Sequence, residues 1–186
     1  DIKERFGLAP MVKIFRQYIE GKGNEILSDR SARVQDANNS NAKATTSTTS
    51  TSTSAKGKPV KKPKKKKESS FDEEFIQSLI SLHKTYFDIV ERYFERNQVF
   101  HRALSDAFQT FMNNIIPDSN FPPYHLLASY CDHILKNGVN ATTSFSNLDI
   151  EDQLDYVVTL FEFLAEKDCF GDIYRLQLSK RLLNSK

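Results

Sequence analysis

A chain of 186 residues with 39% hydrophobic and 11% aromatic content is long enough for one domain with a real core. Fourteen Phe and seven Tyr, against six Gly and no Trp, point to large aromatic knobs between helices and away from a turn-rich β fold. The formal charge of +2 hides a segregation: residues 31 to 70 carry ten Lys or Arg against Asp36 and Glu68, a net of +8 that leaves −6 for the rest, which excludes a basic surface on the folded part.

Ile2 to Phe6 read as the last turn of a preceding helix, with Gly7 at the position after its end. A second helix is expected to begin near Pro10 and to carry Met11, Ile14, Phe15, Tyr18, Ile19, Ile26 and Leu27 on one side. Gly21 and Gly23 weaken its middle by about 1 kcal/mol each, so packing must hold it there or it breaks.

Residues 31–70 hold Ser/Thr repeats and a Lys run with two prolines, and they cannot bury enough apolar surface to offset the entropy of ordering. They are expected to be disordered. Such a run is a solvated linker or, more sharply, a nuclear-import or polyanion contact through Lys58, Lys61, Lys62, Lys64, Lys65, Lys66 and Lys67.

Beyond it, Ser70 with Glu73 fits a capping box. Phe75, Ile76, Leu79, Leu82, Tyr86, Ile89, Val90, Tyr93 and Phe94 then keep helical spacing over about six turns. Asn97 is the expected cap of the next helix, whose inward face is Phe100, Ala103, Leu104, Ala107, Phe108, Phe111, Met112 and Ile115. Pro117, Pro122 and Pro123 mark the connection and the following helix start, and Gly138 ends that helix. Its stripe is Leu126, Leu127, Tyr130, Cys131, Ile134 and Leu135.

Ser146 with Asp149 suggests another capping box, followed by Ile150, Leu154, Val157, Val158, Phe161 and Leu164. Asp168 is read as the N-cap of a terminal helix carrying Phe170, Ile173, Tyr174, Leu178 and Leu182, with Lys180 and Arg181 in its last turn. No segment alternates as a strand does. The expected fold is all-α, an antiparallel bundle of long helices with a disordered basic insertion.

Little in the sequence carries chemistry. His125, Cys131 and His133 come nearest to a metal cluster, but on one helix Cys131 and His133 point to different faces. A structural Cys with exposed His residues is the simpler reading. Asp149, Glu151, Asp152 and Asp155 read as solvated first turns of a helix. Cys169 has no His base nearby in sequence. No cofactor, metal or catalytic residue is expected, and the chain reads as a non-catalytic protein. No apolar run approaches the roughly 20 residues of a membrane span, and the charged start DIKERFGLAP lacks a signal-peptide apolar region. Two cysteines make no disulfide framework; both are expected to be reduced and buried, in a protein of the cytoplasm and nucleus.

Five segments, in order, resemble the cullin family. Residues 162–183, EFLAEKDCFGDIYRLQLSKRLL, are similar to its L-x-D-K-D-x-F-x-x-x-Y-x-x-x-L-A-K-R-L-L. FIQSLISLHKTY at 75–86 resembles F-x-x-x-L-x-x-L-H-x-K-Y, and FHRALSDAFQTFMN at 100–113 resembles F-x-x-A-L-x-x-A-F-x-x-F-x-N. LLASYCDHILKNG at 126–138 and the stretch 150–164 resemble L-L-A-x-Y-C-D-x-L-L-K-K-G and I-E-D-x-L-x-x-V-x-x-L-F-x-x-L.

The resemblance implies a segment of a cullin–RING ubiquitin ligase scaffold, nearest the class that uses F-box adaptors. Residues 1–30 would hold the end of a preceding helix and the first helix of the third repeat, and 31–70 an insertion longer than the family's usual connection. Residues 71–165 would complete the repeat, and 166–186 would open the C-terminal region. Implied partners are a RING protein, an F-box-type adaptor and an exchange factor, mostly through other parts of the parent, with no membrane. Alternative readings are another helical scaffold, anaphase-promoting-complex-like or a vesicle tether, and nucleic-acid binding through the Lys run. The acidic body would repel the phosphates in that last case.

Overall fold

A computed structural model describes residues 2–43, 65–114, 122–137 and 150–184. The described residues form six helices and no strand: α1 (Ile2–Lys43), α2 (Lys65–Tyr93), α3 (Gln98–Met112), α4 (Pro123–Asn137), α5 (Ile150–Glu162) and α6 (Lys167–Asn184). The all-α expectation holds, and none of these helices is long and apolar enough to cross a membrane.

Helix α3 forms as its periodicity requires. Asn97 caps it, its side chain accepting from the Val99 N–H over 2.9 Å. Phe100, Ala103, Leu104, Ala107, Phe108, Phe111 and Met112 are all buried. Just before the cap, Glu95 and Arg96 turn the chain with positive φ of 50° and 58°. The Arg96 guanidinium reaches Glu91 at 2.7 Å and the Arg96 N–H bonds the Val90 carbonyl, which hold this otherwise unfavourable backbone in place. Phe94 and Phe100 then stack at 4.0 Å across the turn, and Phe15 of α1 meets both edge-on.

Helix α1 departs from its expected outline. It is continuous over 42 residues: Gly7 does not end it, and Pro10 lies inside it. A proline so close to the helix start removes one backbone bond, and the helix runs on through it. Gly21 faces open space, whereas Gly23 is buried with its Cα against the Phe111 ring. The inward face is Phe15, Ile19, Gly23, Leu27 and Arg30, while Met11, Ile14 and Tyr18 are exposed.

Both long helices also reach into the segment expected to be disordered: 31–43 end α1 and 65–70 begin α2. Residues 44–64 lie outside the described residues. Packing explains part of this extension, since Arg30 reaches Asp72 at 2.7 Å and Arg33 pairs with Glu74 at 2.5 Å. Ser70 is thus inside α2 and is no cap. The expected box at Ser146 and Asp149, the helix stop at Gly138, and Ile115 and Pro117 fall outside the described residues.

Contacts fix the chain directions. Phe15 on Phe94, Tyr18 on Tyr86 and Arg30 on Asp72 make α1 and α2 antiparallel. Phe15 on Phe100 and Gly23 on Phe111 make α1 and α3 parallel, as alternate helices of an antiparallel bundle are. The core runs from Ile19 and Leu27 through Ile76, Leu79, Phe108 and Phe111 to Leu126, Leu127, Leu160 and Phe163. Each such side chain contributes roughly 1.5–3 kcal/mol on burial.

Candidate functional site: the joint between α4 and α6

Asp132 sits on α4 where an apolar neighbour, Cys131, already faces the core. Its carboxylate is only 8% exposed, and two cations serve it. Lys136, one turn along the same helix, meets Oδ2, and Arg181 of α6 reaches Oδ1 at 3.2 Å. One turn earlier on each helix, the Gln177 amide donates to Ser129 Oγ over 3.1 Å. The i, i+4 spacing of Gln177 and Arg181 therefore matches the i, i+3 spacing of Ser129 and Asp132, which sets α6 parallel to α4. Phe161 and Phe170, 4.9 Å apart, and Tyr174 stacked on Phe170 close the start of the joint.

A third helix reaches the same place. His133 Nε2 lies 3.3 Å from Glu73 of α2. Together Asp72, Glu73, Ser129, Tyr130, Asp132, His133, Lys136 and Gln177 line an open cleft of about 390 Å³. Desolvation raises the Glu73 carboxyl above its ordinary value, His133 opposes this, and Asp72 adds to it. Burial also pushes the Cys131 thiol up, with Arg181 countering and Asp132 adding. A thiol shifted in this direction ionises less readily, which suits a packing group. What the arrangement does is mechanical: it locks α6 to α4 through charge and hydrogen bonds.

The sequence-read candidates fall as follows. Cys131 is buried, while His125 and His133 are half-buried and not exposed as expected. Among the described residues no three of His, Cys, Asp or Glu are grouped to hold a metal. Cys169 is half-buried, and its thiol is raised first by desolvation and then by Glu166. Glu151 and Asp152 occupy the first turn of α5. Asp168 lies within the first turn of α6 and does not cap it. Lys58, Lys61, Lys62 and Lys64 are outside the described residues; Lys65, Lys66 and Lys67 open α2, and their side chains are not described.

Sequence reasoning missed the joint because Ser129, Gln177 and Arg181 look like ordinary surface polars until two helices are set side by side. It also missed His83, which is buried against Phe87, Phe108 and Phe163. Its signals were its place on an apolar stripe and the His of the FIQSLISLHKTY motif, neither of which says that the ring is buried.

Compared with known proteins, residues 2–186 match the family model described as the cullin alpha solenoid domain. The chain belongs to the cullin family. This cullin segment is 32% identical over 180 residues to Cullin-1 of Oryza sativa subsp. japonica, covering 97% of this chain and 21% of that protein. It is 29% identical over 177 residues to Cullin-2 of Arabidopsis thaliana, covering 95% and 20%. Cullin-4A of Mus musculus is 32% identical over 115 residues, covering 62% and 14%. The cullin segment thus spans about a fifth of the length of the first two relatives.

Proposed function

We propose that this segment is a rigid, non-catalytic part of the scaffold of a cullin–RING ubiquitin ligase, holding a substrate adaptor and a RING-bound conjugating enzyme apart. The observation that carries the reading is the cullin match spanning residues 2–186 of a chain whose described helices are tied across the bundle from α1 to α6. Scaffolding raises the effective concentration of a substrate lysine near charged ubiquitin, and stiffness keeps that geometry productive. On this reading residues 8–165 are one repeat and 166–186 begin the next region, consistent with an α6 that has no fully buried residue and exposes Leu176, Leu182 and Leu183.

The partners are a RING protein, an F-box-type adaptor and an exchange factor, met mostly elsewhere in the parent, which acts in cytoplasm and nucleus. Affinity purification of the full-length parent from its own cells, followed by mass spectrometry, tests this. Co-purification of a RING subunit with an F-box-type adaptor is expected; recovery of neither sinks the reading. The Lys58–Lys67 run is the import signal of the same protein, and unchanged localisation after deletion of 58–67 would remove that role.

A further inference from the structure

The turn between α5 and α6 is gripped by one side chain from a third helix. Asn113, at the C-cap of α3, donates through Nδ2 to the Phe163 carbonyl over 2.8 Å and accepts through Oδ1 from the Ala165 N–H over 2.8 Å. The same Nδ2 donates its second hydrogen to the Gln109 carbonyl at 2.7 Å, which anchors the amide to its own helix. A carbonyl and an N–H two residues apart need an acceptor and a donor on one planar group, and a side-chain amide carries both at every pH, whereas a carboxyl does so only when protonated. Ionised Asp lacks the donor; Ala lacks both.

We propose that Asn113 is a positioning residue that sets the direction in which α6 leaves the bundle. The ties at Gln177 and Arg181 act far along α6, whereas Asn113 acts at the pivot. A pivot error of about 10° displaces the end of this 18-residue helix, about 27 Å long, by roughly 5 Å. The consequence for ubiquitin transfer rests on the scaffold reading; the geometry does not.

The test uses the full-length parent, with genetically encoded spin labels at the exposed positions Arg102 of α3 and Ser179 of α6. Electron–electron double resonance reads the distance between them. The native chain should give one narrow distribution. Asn113→Ala should raise the ratio of released to docked α6 roughly tenfold, or about 1.4 kcal/mol, and so broaden it. In a His83→Phe background, free of the proton uptake beside Phe163 that itself loosens the fold in acid, Asn113→Asp should broaden it at neutral pH and narrow it again as the carboxyl gains a proton, at a pH near 4, and with it a donor. Asn113→Ala should show no such recovery.

A native distribution in Asn113→Ala overturns the proposal, as does Asn113→Asp that ignores pH. The assembled ligase should also transfer ubiquitin more slowly with Asn113→Ala, at unchanged adaptor affinity. If the parent assembles no ligase, the scaffold reading falls while the distances still decide the clamp.

Discussion

Arg181, near the end of α6, places its guanidinium 3.2 Å from Asp132, a carboxylate buried in α4 that also serves Lys136. Breaking a buried pair from one side strands the remaining charges. Asp132→Ala should therefore destabilise the protein by about 2–3 kcal/mol, below the fully buried figure because Lys136 is half in water. Urea unfolding reads the total, and amide hydrogen exchange should show protection lost first in α6. Exchange rising evenly over all helices would mean that the pair serves the core and not the joint.

Two arginines on α1 differ by environment alone. Arg30 is 5% exposed, reaches Asp72 and lies 5.5 Å over the Phe75 ring; Arg33 is 55% exposed and pairs with Glu74. Arg30→Ala should cost about 3 kcal/mol, whereas Arg33→Ala should change stability by less than about 0.5 kcal/mol. Chemical denaturation of the two variants side by side checks this, and equal losses would refute the role given to burial.

Gly21 and Gly23 should respond to alanine with opposite signs. At Gly21 a Cβ meets nothing within 4 Å, so Gly21→Ala should stabilise α1 by about 1 kcal/mol. At Gly23 a Cβ would lie 2.5 Å from the buried Phe111 ring, so Gly23→Ala should cost about 1–3 kcal/mol by overpacking. Thermal melts that rise for both would show that α1 can move away from α3.

Burial lowers the pKa of His83 from 6.5 to about 4. The unfolded chain takes a proton near 6.5 that the fold refuses until about pH 4. Stability is then level above pH 6.5 and falls by about 3 kcal/mol as pH drops through this window. His125, lowered chiefly by burial, adds the same sign. Glu73, raised chiefly by desolvation, works the other way: its contribution is full below its unfolded pKa and is lost as pH rises through the higher folded one. His83→Phe should flatten most of the slope between pH 6.5 and 4 in urea titrations, and a slope that persists would assign the titration to another group.

Helix α3 could be read from sequence almost residue by residue because its apolar face is complete and its cap is local. Helix α1 could not. Its inward face includes Gly23 and Arg30, which carry no apolar signal, while the apolar Met11, Ile14 and Tyr18 face outward. Periodicity counts side chains and cannot see a glycine chosen for closeness. The reach of α1 and α2 beyond residue 30 and before residue 71 was hidden for a related reason. Polar composition argues against a core but not against two helices that pair their charges, as Arg33 and Glu74 do. In the joint, the Asp132–Lys136 spacing was visible in one helix, but the Arg181 partner is 49 residues away. Asn113 stood in plain view at the end of the FHRALSDAFQTFMN motif, yet its partners are 50 and 52 residues downstream.

Helices α1 and α2 each run on past the buried contact of Arg30 with Asp72, and residues 44–64 join their far ends in sequence. The 13 residues from 31 to 43 alone add about 20 Å of helix between that connection and the last buried tie. Length and composition there are consequently decoupled from the core. An epitope or a small fluorescent domain spliced between residues 44 and 57, clear of the Lys58–Lys67 run, should ride on the bundle without loosening it, and this stand-off makes that stretch the natural handle for following the parent protein in living cells.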